Sequence, residues 1–402
     1  MKIGILREGK TPPDKRVPLS PEQCIEVQNK FPQVKIYVQP SSVRSFNDNE
    51  YSKLGIELQE NLNDCDVLLG VKEVLIDSFI EGKIYLFFSH TIKKQEYNRN
   101  LLQTVLAKKI QLIDYETLTD KKGFRIIGFG RFAGLVGAYN GLRAFGLREK
   151  LFDLKPAHQC NDLVEMYLEL DNIKLPPIKI AVTGDGRVAG GVLEVLEHLK
   201  IDRVLPKDYL NNSKPANPIY TQLLPGDYAK RKDGSSFELI HFFNNPEMYK
   251  NSFLPFAKST DLLIASAFWN PKAPVLFTVD DAKQDDFRMS VISDITCDIE
   301  GSIPSTKRAS TIDNPFYDYN PETKKMETAF SNKRNISVQA VDNLPNELPK
   351  DASLNFGRNL IDKVFPSLFG DDKDGVIERA SITKDGKLTP RFLYLQDFAD
   401  GK

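Results

Sequence analysis

A chain of 402 residues that is 41% hydrophobic can bury large cores and is long for one domain, so two are expected. Its 54 Lys and Arg against 55 Asp and Glu leave a net charge of -1, which excludes the electrostatic footprint of a nucleic-acid or anionic-membrane binder and favours a small polar substrate. Cys24, Cys65, Cys160 and Cys297 form no CxxC pair and follow no secretory leader, so neither a disulfide framework nor a metal site is signalled. No apolar run approaches the roughly 18 residues of a spanning helix. A soluble, cytoplasmic protein is expected.

The chain opens with KIGIL, an apolar strand, and REGKTPPDKRVPLSPEQC, whose prolines and glycine force a loop. That loop ends at Ser20-Pro21, a helix start with Pro at the first helical position. Strands follow at VKIYVQ (34–39), DCDVLLGVKEV (64–74), KIYLFFSH (83–90) and IQLIDYE (110–116), with an amphipathic helix across IKKQEYNRNLLQTVLAKK. Such repeats predict a parallel sheet with covered faces. Lys72, His90 and Glu116 each follow an apolar strand run. A side chain there is held rigidly yet can reach a ligand, as an acid or base must. Gly134, Gly137 and Gly141 lie along a helical pattern at 131–152, which predicts a second backbone packed close by. The polar KPAHQCND and the LPP at 175–177 then mark a domain boundary.

IKIAVTGDGRVAGGVLEVLEHL runs a buried strand into the GxGxxA turn at Gly184–Ala189 and on into a helix. Gly184 permits the tight turn, Gly186 lets the backbone approach a pyrophosphate, and the helix N-terminus faces the phosphates. Asp185 is tolerated beside phosphates only if it points away. The next strand, DRVL, ends near Lys207 and Asp208. A carboxylate about 20 residues beyond the glycines suits the ribose of NAD and a cation suits NADP, so both cofactors stay open. Residues 211–236 read as a polar surface excursion, after which FELIHFF (237–243), TDLLIASAF (260–268) and RMSVISDI (288–295) resume the sheet. Trp269 follows one strand end, where a nicotinamide-facing wall is one reading and plain aromatic packing the other. Asp294 and Asp298 flank the end of another, at the edge where open α/β sheets bind ligands. Residues 318–335 read as a hairpin or exposed loop, FGRNLIDKVFPSLF as a helix, and the tail from Gly375 as a closing helix.

Together LREGKTPPDKRVPLSP, LLGVKEV, FFSHTIKKQE, IQLIDYETLTDKKGFRIIGFGRFAG, SDITCDIEGSIPSTKRASTIDNPF and VDNLPNELPKDAS resemble the lysine-ketoglutarate reductases, the lysine-forming saccharopine dehydrogenases, in the wider superfamily of alanine dehydrogenase and transhydrogenase. The resemblance implies an NAD(P)H-dependent reductive joining of L-lysine and 2-oxoglutarate to saccharopine, or its reverse. It also implies that Lys72 and His90 are the acid and base, and that Arg16 holds a substrate carboxylate. Glu73 and Glu116 then line the amine-binding side, with Arg125 near a carboxylate. Gly184, Gly186 and Arg187 face the pyrophosphate, and Asp298 stands beside the nicotinamide. Relatives are often fused to a second dehydrogenase, whereas this chain is expected to be free-standing. An alanine dehydrogenase-like enzyme and a non-catalytic nucleotide-binding relative are the alternatives, and an oligomer is compatible with the sequence.

The fold class expected is α/β, with two Rossmann-like domains whose parallel sheets are separated by a cleft. The substrate domain takes residues 1–150 with 336–402, and the dinucleotide domain takes 151–335.

Overall fold

Short runs of Val, Ile, Leu and Tyr between polar loops decide the first sheet of the computed structural model, which describes residues 1–402. They are β1 (Lys2–Ile5), β2 (Lys35–Val38), β3 (Glu57–Leu58), β4 (Val67–Leu69), β5 (Ile84–Phe87) and β6 (Gln111–Asp114). All six pair in parallel, in the order β6-β5-β4-β1-β2-β3. VLL in β4 is buried throughout, as strands covered on both faces must be. Because the strands run the same way, the carboxyl ends of β1, β4, β5 and β6 share one edge, with Ile5 opposite Leu69, Leu69 opposite Leu86, and Phe87 opposite Asp114. The helix Pro21–Lys30 begins as read, with Ser20 and Gln23 forming a reciprocal capping box.

The tail departs from the reading. Helical turns do open and close it, at Val376–Ala380 and 390–399, but between them Ser381–Lys384 and Lys387–Leu388 form an antiparallel hairpin that adds to β6 and completes eight strands. Its turn is Asp385-Gly386, both at positive φ, the dipeptide that a two-residue hairpin turn favours.

These elements belong to one compact unit, Met1–Phe129 with Pro349–Lys402, and Gly130–Leu348 form another. The expected boundaries after residues 150 and 335 therefore differ from the observed ones. The helix Gly130–Glu149 goes with the second sheet because its glycines let backbones meet. A Cβ on Gly134 would stand 2.0 Å from the Val188 carbonyl oxygen, and one on Gly191 2.0 Å from that of Arg131. The Ser293 hydroxyl also donates to the Gly137 carbonyl at 2.7 Å.

The second sheet contains β7 (Lys179–Thr183), β8 (Asp202–Arg203) and β9 (Ile219–Leu223), while β10 (Ala229–Arg231) and β11 (Tyr249–Asn251) form a separate ladder. It continues with β12 (Leu262–Ala265), β13 (Val291–Asp294), β14 (Phe316–Asn320), β15 (Lys325–Glu327) and β16 (Ile336–Gln339). The order is β15-β14-β16-β13-β12-β7-β9-β8, parallel except at β14 and β15, which form the hairpin read at 318–335. Two corrections concern the long excursion. IYTQL inside it is a central strand, paired with β7 along its whole length. FELIHFF is not a strand, because it lies in the connection between β10 and β11, where Leu239–Asn244 is helical. No helix is long and apolar enough to cross a membrane.

Candidate active site

Lys72 sits on the loop leaving β4, and that loop is tied down by a residue the sequence reading passed over. Glu8, just beyond β1, accepts hydrogen bonds from the amides of Lys72 (2.7 Å), Glu73 (2.5 Å), Gly9 (3.1 Å) and Lys10 (3.3 Å). Burial raises the Glu8 carboxyl, and the Lys72 and Glu73 amides oppose that. The Lys72 ammonium lies 5.4 Å from the centre of the Phe88 ring. Burial, reinforced by the nearby charges of Arg16 and Lys10, pulls Lys72 down to about 8. Glu73 is exposed beside it.

His90 follows β5 in a left-handed conformation, φ 56°. Asp114, the fully buried last residue of β6, accepts from the Ser89 and His90 amides at 3.0 Å each, from the Ser89 hydroxyl at 2.5 Å, and from the Glu116 amide at 2.7 Å. With both loops held, His90 Nδ1 meets Glu116 Oε2 at 2.9 Å. Lys93 Nζ and Arg125 Nη2 reach the other Glu116 oxygen at 3.6 Å and 3.2 Å. Burial alone would raise Glu116, but the His90 hydrogen bond and charge, with Lys93 and Arg125, outweigh it and set the carboxyl at about 2. An ionised carboxylate only accepts, so the His90 Nδ1 carries the proton and Nε2 is left for chemistry.

Arg16 is 2% exposed and binds Asp14 through Nε at 2.9 Å, and its guanidinium lies 4.1 Å from the Phe129 ring centre. Phe129 stacks on Phe356 at 4.5 Å, and Phe88 packs against both while lying 6.2 Å from the His90 ring. An aromatic floor thus contacts Arg16, Lys72 and His90, and the negative faces of the rings favour cations there. Glu8, Phe88, Lys93 and Asp114 were missed. Asp114 did leave a signal, a carboxylate closing the apolar run LID.

In the second unit the turn after β7 has the geometry that a dinucleotide's phosphates need. Gly184 adopts φ +93°, and a Cβ there would stand 3.0 Å from Ala267 Cα. Gly186 caps the helix Arg187–His198, and a Cβ on it would meet nothing within 4 Å, so the backbone amides can be approached closely. Asp185 and Arg187 are both exposed. Asp208 lies on the helix Pro206–Asn211 that follows β8; the carbonyls of Tyr209 in that helix and of Asn212 just beyond it bind Lys179 Nζ at the start of β7. The strand beside β7 is β9, so the residues after Leu223, not those after β8, flank the turn. Asp298 is exposed in the loop beyond β13. Asp294 anchors that loop, accepting from Thr296, Cys297 and Thr306, which is the turn-forming role. Trp269 lines a cavity of about 280 Å³ with Thr183, Ala267, Tyr228, Phe242 and Phe243.

The family model for the alanine dehydrogenase/PNT N-terminal domain matches residues 4–136. The chain is 30% identical to the mitochondrial alpha-aminoadipic semialdehyde synthase of Mus musculus over 100% of its own length and 48% of that protein's, so it spans about half of that relative. It is 22% identical to a saccharopine dehydrogenase (NAD(+), L-lysine-forming) of Yarrowia lipolytica, covering 81% of this chain and 82% of the relative. A solved L-alanine dehydrogenase superposes with a TM-score of 0.67 at 16% identity, over 99% of this chain and 100% of that one, which establishes the shared fold. Residues 4–136 thus match the alanine dehydrogenase/PNT N-terminal domain, the chain as a whole is similar in sequence to alpha-aminoadipic semialdehyde synthase and saccharopine dehydrogenase, and its fold is that of alanine dehydrogenase.

Proposed function

We propose that this protein interconverts L-lysine plus 2-oxoglutarate with saccharopine by NAD(P)H-dependent reduction of an imine. The observation that carries the reading is a lysine drawn down to about 8, on the strand edge it shares with a histidine paired to an ionised glutamate. Imine chemistry needs both kinds of group. The ε-ammonium of lysine loses a proton, its nitrogen attacks the keto carbon, the resulting carbinolamine loses its hydroxyl as water, and the imine is then reduced. Lys72, populated in both protonation states near neutrality, takes the proton in attack. Lys72 then gives that proton to the carbinolamine oxygen, and His90 Nε2 takes the nitrogen's second proton and delivers it to the departing hydroxyl, while Nδ1 stays on Glu116. Arg16, already paired with Asp14, and the cations around Glu116 supply the positive field that a dicarboxylate prefers.

Gly184, Gly186 and the first turn of the Arg187–His198 helix would hold the pyrophosphate of the dinucleotide, which when bound supplies or accepts the hydride. Asp208, or residues at the carboxyl end of β9, would meet its adenosine ribose. Glu73, Arg125, Arg187 and Asp298 remain proposed contacts of substrate or cofactor.

A spectrophotometric assay tests the reading by crossing NADH and NADPH with lysine, ornithine or ammonia and with 2-oxoglutarate or pyruvate. Oxidation of reduced cofactor that requires lysine and 2-oxoglutarate together is expected. Turnover with ammonia and pyruvate alone would transfer the assignment to an alanine dehydrogenase-like activity.

A further inference from the structure

We propose that Asp114 is a positioning residue for His90, holding the main chain beneath His90 and Glu116 so that their side chains meet. The proposal rests on the reading of His90 as a catalytic group oriented by Glu116, but its central measurement needs no substrate.

The geometry is unusual for a carboxylate that touches no ligand. Asp114 is 0% exposed and binds no cation; its partners are the Ser89 amide and hydroxyl and the His90 amide on Oδ2, and the Glu116 amide on Oδ1. One side chain therefore fixes two loops that leave neighbouring strands, and the side chains of those loops close the circuit through the contact between His90 Nδ1 and Glu116 Oε2. The backbone at His90 needs such support. Its φ of 56° is disfavoured for a residue with a Cβ, and the amide it turns inward would otherwise be buried without an acceptor. Ser89 strengthens the clamp, since its hydroxyl meets both Asp114 and Thr91. Asparagine cannot replace this carboxylate. Its single carbonyl oxygen can serve the Ser89 and His90 donors or the Glu116 amide, and its NH2 then faces an N–H on the other side.

The test uses the full chain. Asp114→Asn should accelerate amide hydrogen exchange in segments 88–91 and 115–117 while β1 and β4 keep their protection. It should lower kcat about 10²-fold, the scale expected when reacting groups are misplaced by about an ångström, with KM for the dinucleotide within about twofold. Asp114→Asn combined with Glu116→Gln should be no slower than the slower single variant, because both break the same circuit. Should Asp114→Asn fail to fold, Ser89→Ala keeps the carboxylate and removes one donor; local exchange in 88–91 and a kcat loss of a few-fold are then expected. Unchanged exchange in these segments, or kcat losses that simply multiply in the double variant, would overturn the proposal. Faster local exchange in a protein that turns over no lysine would instead refute the reaction and leave the clamp standing.

Discussion

The carboxyl edges of the two sheets solve different problems with different parts of the chain. In the proposed reaction the chemistry at the first is carried by side chains that the backbone aims: Glu8 holds the Lys72 loop and Asp114 holds the His90 and Glu116 loops. At the second, the proposed binding group is the backbone itself, and Gly184 and Gly186 would matter because they have no side chain. A buried carboxylate at a strand end recurs on both edges, since Asp294 gathers the loop after β13 much as Asp114 does the loop after β5. The anchoring device is therefore general. What differs is which atoms face the ligand, so substitutions at the two edges should separate proton transfer from cofactor binding.

The largest effect expected is on the first edge alone. Lys72→Met and His90→Gln should each cut kcat by about 10²–10⁴-fold, the usual contribution of a general acid or base, while reduced dinucleotide binds as before by fluorescence titration. A matching loss of dinucleotide affinity would break the division of labour.

Next comes Gly184→Val. A branched side chain at φ +93°, aimed at Ala267 Cα 3.0 Å away, costs about 1–3 kcal/mol of strain and displaces the turn. Dinucleotide Kd should rise by about tenfold or more, with the kcat pH profile at saturating cofactor unchanged in shape. An altered profile would mean that the glycine turn also controls protonation.

The difference between the edges also explains what the sequence disclosed. Strand-end side chains such as Lys72 and His90 are visible as ionisable residues after apolar runs, and the glycine turn as a strand, GDG and a helix. The close approach at Gly134 was legible too, because a glycine there has no reason to interrupt a helix except a close neighbour, whereas Gly137 and Gly141 face side chains of Ile295 and Ser293. Pairing over long separations was not. IYTQL carries two polar residues in five and follows Pro-rich coil, so nothing local reveals that it, and not the strand before it, pairs with β7. The Asp-Gly hairpin near the C-terminus was legible and was overlooked. Glu8 and Asp114 act through backbone amides brought close by folding, 64 and 24 residues away for Lys72 and His90, a distance no local pattern spans.

The smallest effect is the most specific test of how the first edge is tuned. Lys72 is lowered first by burial and then by the positive charges of Arg16 and Lys10, with Asp14 acting against them. In the direction where Lys72 accepts a proton, kcat/KM should rise with pH and level off above about 8, and in the direction where it donates it should fall above about 8. Removing a neighbouring cation makes the ammonium easier to keep, so Lys10→Gln should move this inflection upward, towards the ordinary lysine value of 10.5, while leaving the plateau height nearly unchanged. Arg16→Gln should move it further in the same direction, because Arg16 is the stronger of the two influences, but should also raise KM for the dicarboxylate. Asp14→Asn should move it down. An inflection that ignores all three charges would show that burial alone sets Lys72, and that the arginine serves only to bind substrate.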